Sequence, residues 1–134
     1  MARKFRGVEI IREIDEAMDK GFARFVIGTQ SKLSAASPVD TGRLASSWYV
    51  GKGVPDRSVP PERDAPGTVQ IEKPSMEITT DSDFWISSNL PYTERSAFDP
   101  YNGRRGGGAW FTSIENRLAE DAQKAFDYFL RKVK

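Results

Sequence analysis

Apolar residues recur at helical intervals from Val8 to Ala36, at Ile11, Ile14, Met18, Phe22, Phe25, Val26, Leu33 and Ala36, with Glu13, Asp15, Glu16, Asp19 and Lys20 between them. This spacing predicts a long amphipathic helix over 8–36. Gly21 and Gly28 lie inside it on nearly one face, each at a cost of about 1 kcal/mol relative to Ala. Either the helix breaks or bends there into two shorter ones, or another helix or subunit backbone comes close in the groove that the glycines leave. A second helical pattern, over 112–133, carries Ile114, Leu118, Ala122, Ala125, Phe129 and Val133, widened by Phe126 and Leu130. Thr112 to Glu115 has the form of a capping box that opens this helix. Arg131, Lys132 and Lys134 fall in its last turn, where positive charge suits the helix dipole.

Between the helices the period shortens. Ser37 to Trp48 reads SPVDTGRLASSW. Pro38 fixes its own φ and pushes Ser37 out of the helical region, Asp40 and Thr41 can bond backbone amides, and Gly42 permits a tight turn. Pro38, Asp40, Thr41 and Gly42 are therefore expected to form a structural corner rather than a catalytic site. Leu44 to Val50 passes from a helical turn into a strand, and Thr68–Glu72, Met76–Thr80 and Phe84–Ser88 are three more strand candidates. The sheet region spans 44–88. It is interrupted by Gly51 to Gly67, whose four prolines and three glycines predict an exposed arm or disordered loop. A second loop, 96–110, contains Gly106, Gly107 and Gly108. The expected fold is α+β: the two terminal helices on one face of a small, mostly antiparallel sheet of about four strands, with two long loops. Trp48, Ile86, Leu118, Ala122 and Phe129 are the expected core.

The chain has 134 residues, enough for one domain, and 20 Lys plus Arg against 19 Asp plus Glu give a net charge of +1. That balance argues against a general nucleic-acid binder. There is no Cys and no His, so disulfides, thiolate nucleophiles, imidazole bases and the usual zinc ligands are excluded together. No cofactor, metal or catalytic residue is expected. No stretch approaches the ~18 apolar residues of a membrane span, and the start MARKFRGVEII lacks the apolar run of a signal peptide. Synthesis in the cytoplasm and no membrane partner are the corresponding expectations.

The remaining chemistry is sparse. Asp81 and Asp83 lack the further oxygen ligands of a calcium loop and read as a solvated turn. Arg104 and Arg105, within Gly103 to Gly108, lack the Lys-Ser or Lys-Thr ending of a P-loop; they suit a hinge, or a face toward DNA. Arg3, Lys4 and Arg6 precede a helix N-terminus, where they gain nothing from the dipole; they suit solubility, acidic neighbours in an assembly, or DNA. Tyr92, Phe98, Tyr101, Trp110 and Phe111 exceed what a small sheet needs and are the candidate subunit interface.

Two segments carry a resemblance. Pro38, Val39, Asp40, Thr41, Gly42, Arg43, Leu44, Ser47 and Trp48 form the first, and Ile86, Ser88, Asn89, Pro91 and Tyr92 the second. In this order, between two terminal helices, they resemble the head-tail joining or tail completion proteins of the tailed-phage neck, some described as minor tail proteins. The resemblance implies a non-enzymatic virion component: a homo-oligomeric ring, hexameric to match tail symmetry. Its partners would be the head connector or adaptor proteins and the tail terminator or tail tube, with DNA a non-specific passenger in the channel. The expanded loop from Gly51 to Gly67 and the segment from Arg104 to Gly108 depart from the family pattern. A tail terminator, a tail-tube-like protein, or a small adaptor outside phages are the alternatives.

Overall fold

The computed structural model describes residues 7–37, 43–60, 69–90, 93 and 109–133. Helix α1 is Gly7–Ala36, 30 residues without a break at either internal glycine. Strands β1 (Tyr49–Lys52) and β2 (Phe84–Ser87) follow. Helices α2 (Ala109–Glu115) and α3 (Leu118–Leu130) close the chain. The architecture is α+β, with a long N-terminal helix, C-terminal helices and a small antiparallel sheet.

α3 runs antiparallel to α1. Lys32 meets Asp121 at 2.8 Å near one end of the pair, and Ala17 and Lys20 lie beside Phe129 and Val133 near the other. Gly21 sits between, and a Cβ there would lie 2.8 Å from Phe126 Cδ1 and 2.9 Å from Phe126 Cα. The close backbone approach is therefore the reason for this glycine, and the partner is the chain's own α3. Gly28 has nothing within 4 Å of the equivalent position.

In the sheet, Tyr49 pairs with Ser87, Val50 with Ile86, Gly51 with Trp85 and Lys52 with Phe84. Val50, Ile86 and Phe84 share one face, as the period of two requires, and pack with Val26, Ile78, Phe22 and Phe25 into the core. The rings of Phe22 and Phe84 meet edge-on at 5.6 Å. Beyond β1 the chain reverses at Gly53, whose φ of 78° suits glycine, and folds back on Gly51. A Cβ on Gly51 would collide with the Val54 carbonyl and lie 2.6 Å from Asp56 N.

Three expectations are corrected. Among the described residues the sheet has two strands, not about four. Residues 69–79 form no ladder because side chains take their backbone groups: Gln70 N–H donates to Ser46 Oγ and the Glu72 carbonyl accepts from Gln30. The described part of the 51–67 segment, residues 51–60, is mostly exposed and is tied to the rest of the fold. Arg43 Nε donates to the Pro60 carbonyl, Asn89 Nδ2 to those of Asp56 and Ser58, and Pro60 is fully buried. The helix expected over 112–133 is two helices, and Thr112 lies inside α2 rather than capping it. Thr112 and Ile114 carbonyls accept from Asn116 and Arg117 N–H, and Arg117, the residue before α3, makes no side-chain cap. Of the expected core, Trp48 is buried, whereas Ile86, Leu118, Ala122 and Phe129 are only partly covered.

The two glycines of α1 should respond oppositely to alanine. Gly28→Ala should raise stability by about 0.5–1 kcal/mol, the helix-propensity gain with no steric cost. Gly21→Ala should lower it by about 1–3 kcal/mol net, since α3 must move away. Thermal melts of both variants check this, and equal shifts would contradict the close approach.

Candidate functional site

The motif segments meet, although some forty residues separate them in sequence. Ser47, just before β1, and Ser88, just after β2, have their hydroxyls 2.5 Å apart, and Ser88 Oγ lies 2.8 Å from Thr93 Oγ1. Ser47 Oγ–H also reaches the Leu44 carbonyl at 2.6 Å. A hydroxyl has one proton. Once Ser47 donates to Leu44, Ser88 must donate to Ser47 and Thr93 to Ser88, so the relay has one direction. A shorter relay runs beside it: Trp48 Nε1–H donates to Ser37 Oγ at 2.9 Å, and Ser37 Oγ–H to the Leu33 carbonyl at 2.6 Å. Both relays end on backbone carbonyls. Their hydroxyls are consumed in holding the chain, which leaves none of them as an activated nucleophile.

Gln30 joins this hub to α1. It is 1% exposed, and its Nε2 donates to the Trp48 carbonyl at 2.8 Å and to the Glu72 carbonyl at 2.9 Å. Sequence reasoning missed it. The signal was a polar residue on the apolar stripe between Val26 and Leu33, where burial demands a partner for each polar group.

Trp48 is also the centre of an aromatic cluster. Phe111 stacks on it at 6.3 Å, Trp110 meets it edge-on at 6.2 Å, and Trp110 and Phe111 meet each other at 5.8 Å. Trp110 and Phe111, two of the candidate interface residues, pack on Trp48 and are half-buried. Trp110 Nε1 is buried without a hydrogen-bond partner among the described residues. The other interface candidates Tyr92, Phe98 and Tyr101, the corner Pro38, Asp40, Thr41 and Gly42, and the basic candidates Arg3, Lys4, Arg6, Arg104 and Arg105 all lie outside the described residues.

Next to the cluster, α1, β2, α2 and the start of α3 enclose an open groove of about 680 Å³. Its walls are mostly apolar, with Glu115 at its edge. Elsewhere, Asp81 accepts from Thr79 and Ser82 in an exposed turn, and the Thr79 hydrogen bond, foremost among several causes, holds its carboxyl below the usual range. No group of carboxylates that could hold a metal ion occurs among the described residues. On the α1–α3 seam, Arg24 Cζ and Lys132 Nζ lie 4.2 and 4.3 Å from the Tyr128 ring centre. The hydrogen bond with Lys132, then the Lys132 and Arg24 charges, hold that phenol below its ordinary range.

No protein-family model, curated protein or solved structure matches this chain.

Replacing Gln30 by Leu keeps the volume but strips both carbonyls of their donor. The buried Trp48 carbonyl then goes unpaired, at about 1–3 kcal/mol. Chemical denaturation should show that loss with an unchanged slope, and a stability equal to wild type would contradict the hub.

Proposed function

We propose that this chain is a non-enzymatic structural protein of a tailed-phage virion, one subunit of a ring in the neck that joins the head connector to the tail. The observation that carries the proposal is the meeting of the two resembling segments in a hub whose polar groups are directed at backbone. Ser37, Ser47, Trp48, Ser88 and Asn89 each hold a turn or a strand end in place. Such residues are wanted where a subunit must keep one shape under load.

The exposed surface supports the same proposal. Val8, Ile11, Val54 and Trp85 are 84, 60, 69 and 48% exposed, and the groove is apolar. A contiguous apolar lining such as that of the groove marks an association surface. A cyclic ring requires two different surfaces per subunit. The channel would pass DNA without gripping it, as a net charge of +1 allows.

Native mass spectrometry and negative-stain imaging of the purified chain test the proposal. A closed ring with a central hole, six-fold by the resemblance, is the expected result, with DNA binding weak, indifferent to sequence and abolished by moderate salt. A monomer at every accessible concentration, or tight binding to one DNA sequence, would overturn it.

A further inference from the structure

Arg24 of α1 and Lys132, just past the end of α3, converge on one side chain. Arg24 Cζ lies 4.2 Å and Lys132 Nζ 4.3 Å from the centre of the Tyr128 ring, and that residue is 44% exposed. The backbone sets their places. The close crossing of α1 and α3 at Gly21 and Phe126 brings Arg24, one turn further on, against α3, and the Lys132 N–H is held by the Phe129 carbonyl at 3.1 Å. Each face of a ring attracts a cation, but two cations around one ring also repel each other. Among the described residues no carboxylate lies within ion-pair distance of either. Other cations of the same helix pair are neutralised, Lys32 by Asp121 and Lys124 by Glu120. Glu13 and Glu16 share a small cavity with Lys20 and Lys132 at the end of the seam, and Arg24 and Tyr128 take no part in its lining. The exposed seam therefore holds two uncompensated positive charges beside a phenol.

We infer that Arg24, Tyr128 and Lys132 form a binding site for a phosphate-type oxyanion. A guanidinium presents its N–H groups in a planar fork that matches two oxygens of such an anion, and an ammonium adds a compact point charge. The Tyr128 hydroxyl accepts from Lys132 and keeps its own proton to donate. An anion seated at the exposed edge of the ring takes donors from all three groups and neutralises both cations at once, which the ring itself cannot do. One chain supplies the whole site, so it does not depend on the ring assembly proposed above. A free phosphate ion and a phosphate of a DNA backbone offer the same chemistry, and the test separates them.

Calorimetric titration of the full chain with inorganic phosphate, at an ionic strength held constant with chloride, should show one site per chain, and phosphate should raise the melting temperature relative to chloride. Arg24→Gln and Lys132→Gln should each weaken that binding by roughly tenfold, the loss of one charge-assisted hydrogen bond. Tyr128→Phe keeps the ring, loses the donor and should weaken it several-fold. Lys73→Gln removes the same charge from the exposed 69–79 segment and should bind as wild type does. A cooperative melt without phosphate shows that each variant is folded. Titration with a short DNA duplex at the same phosphate concentration identifies the source. DNA binding that falls in Arg24→Gln and Lys132→Gln assigns the site to polymer-borne phosphate, and phosphate binding without such DNA binding assigns it to the free ion. Failure of the wild-type chain to bind either anion, or binding that all three site variants leave equal to that of Lys73→Gln, would overturn the site.

Discussion

One buried side-chain amide sets the relation of the helical and sheet layers. Gln30 leaves α1 among apolar neighbours and gives both its protons to carbonyls of other segments, one at Trp48 and one at Glu72. Burial makes those bonds obligatory, since each carbonyl would otherwise lose water without replacement. Trp48 is thereby fixed one residue ahead of β1, and the register of the sheet is set from that point. Its indole then orients Ser37 at the end of α1, and its ring faces carry Trp110 and Phe111. Three parts of the chain converge on one residue whose position a single amide determines.

The helices were the most legible part of the sequence, because a pattern sustained over thirty residues outweighs any local exception. Gly21 and Gly28 look alike in sequence, seven residues apart on one helix, yet only Gly21 touches α3. Nothing local distinguishes them, since the difference comes from where α3 crosses. The stop of α1 at Ala36 was legible from Ser37 and Pro38. What those letters did not reveal is that the Ser37 hydroxyl is the acceptor for Trp48, eleven residues on.

Errors arose where side chains compete with backbone for hydrogen bonds. Residues 69–80 have β-favouring composition, but Ser46 and Gln30 intercept the groups a ladder would use, and Asp19 accepts from Thr80 N–H at 2.9 Å. Strand propensity describes fit to a pleated surface, and tertiary partners override it. The capping box at Thr112 failed for a related reason. Packing of Trp110 and Phe111 on Trp48 favours helix from Ala109, upstream of the box, and leaves Thr112 within the helix as an ordinary residue. Between the two motif segments the link is a pair of hydroxyls, Ser47 and Ser88, and the relay they form ends on the Leu44 carbonyl.

The partial burial of Ile86, Leu118 and Phe129 has an energetic consequence for any assembly this chain enters. A side chain left half-covered forgoes part of the roughly 1.5–3 kcal/mol that full burial supplies. For Ile86 and Leu118 that deficit sits at a groove bordered by α1, β2 and the C-terminal helices, so it weakens the contacts between elements more than any one element. Whatever covers the groove restores those contacts and binds the folded form alone, since an unfolded chain has no groove. Linkage would then make the stability of the chain rise with the concentration of any such partner. If a partner covers the groove, folding and association become one coupled equilibrium, with the joined species the better packed.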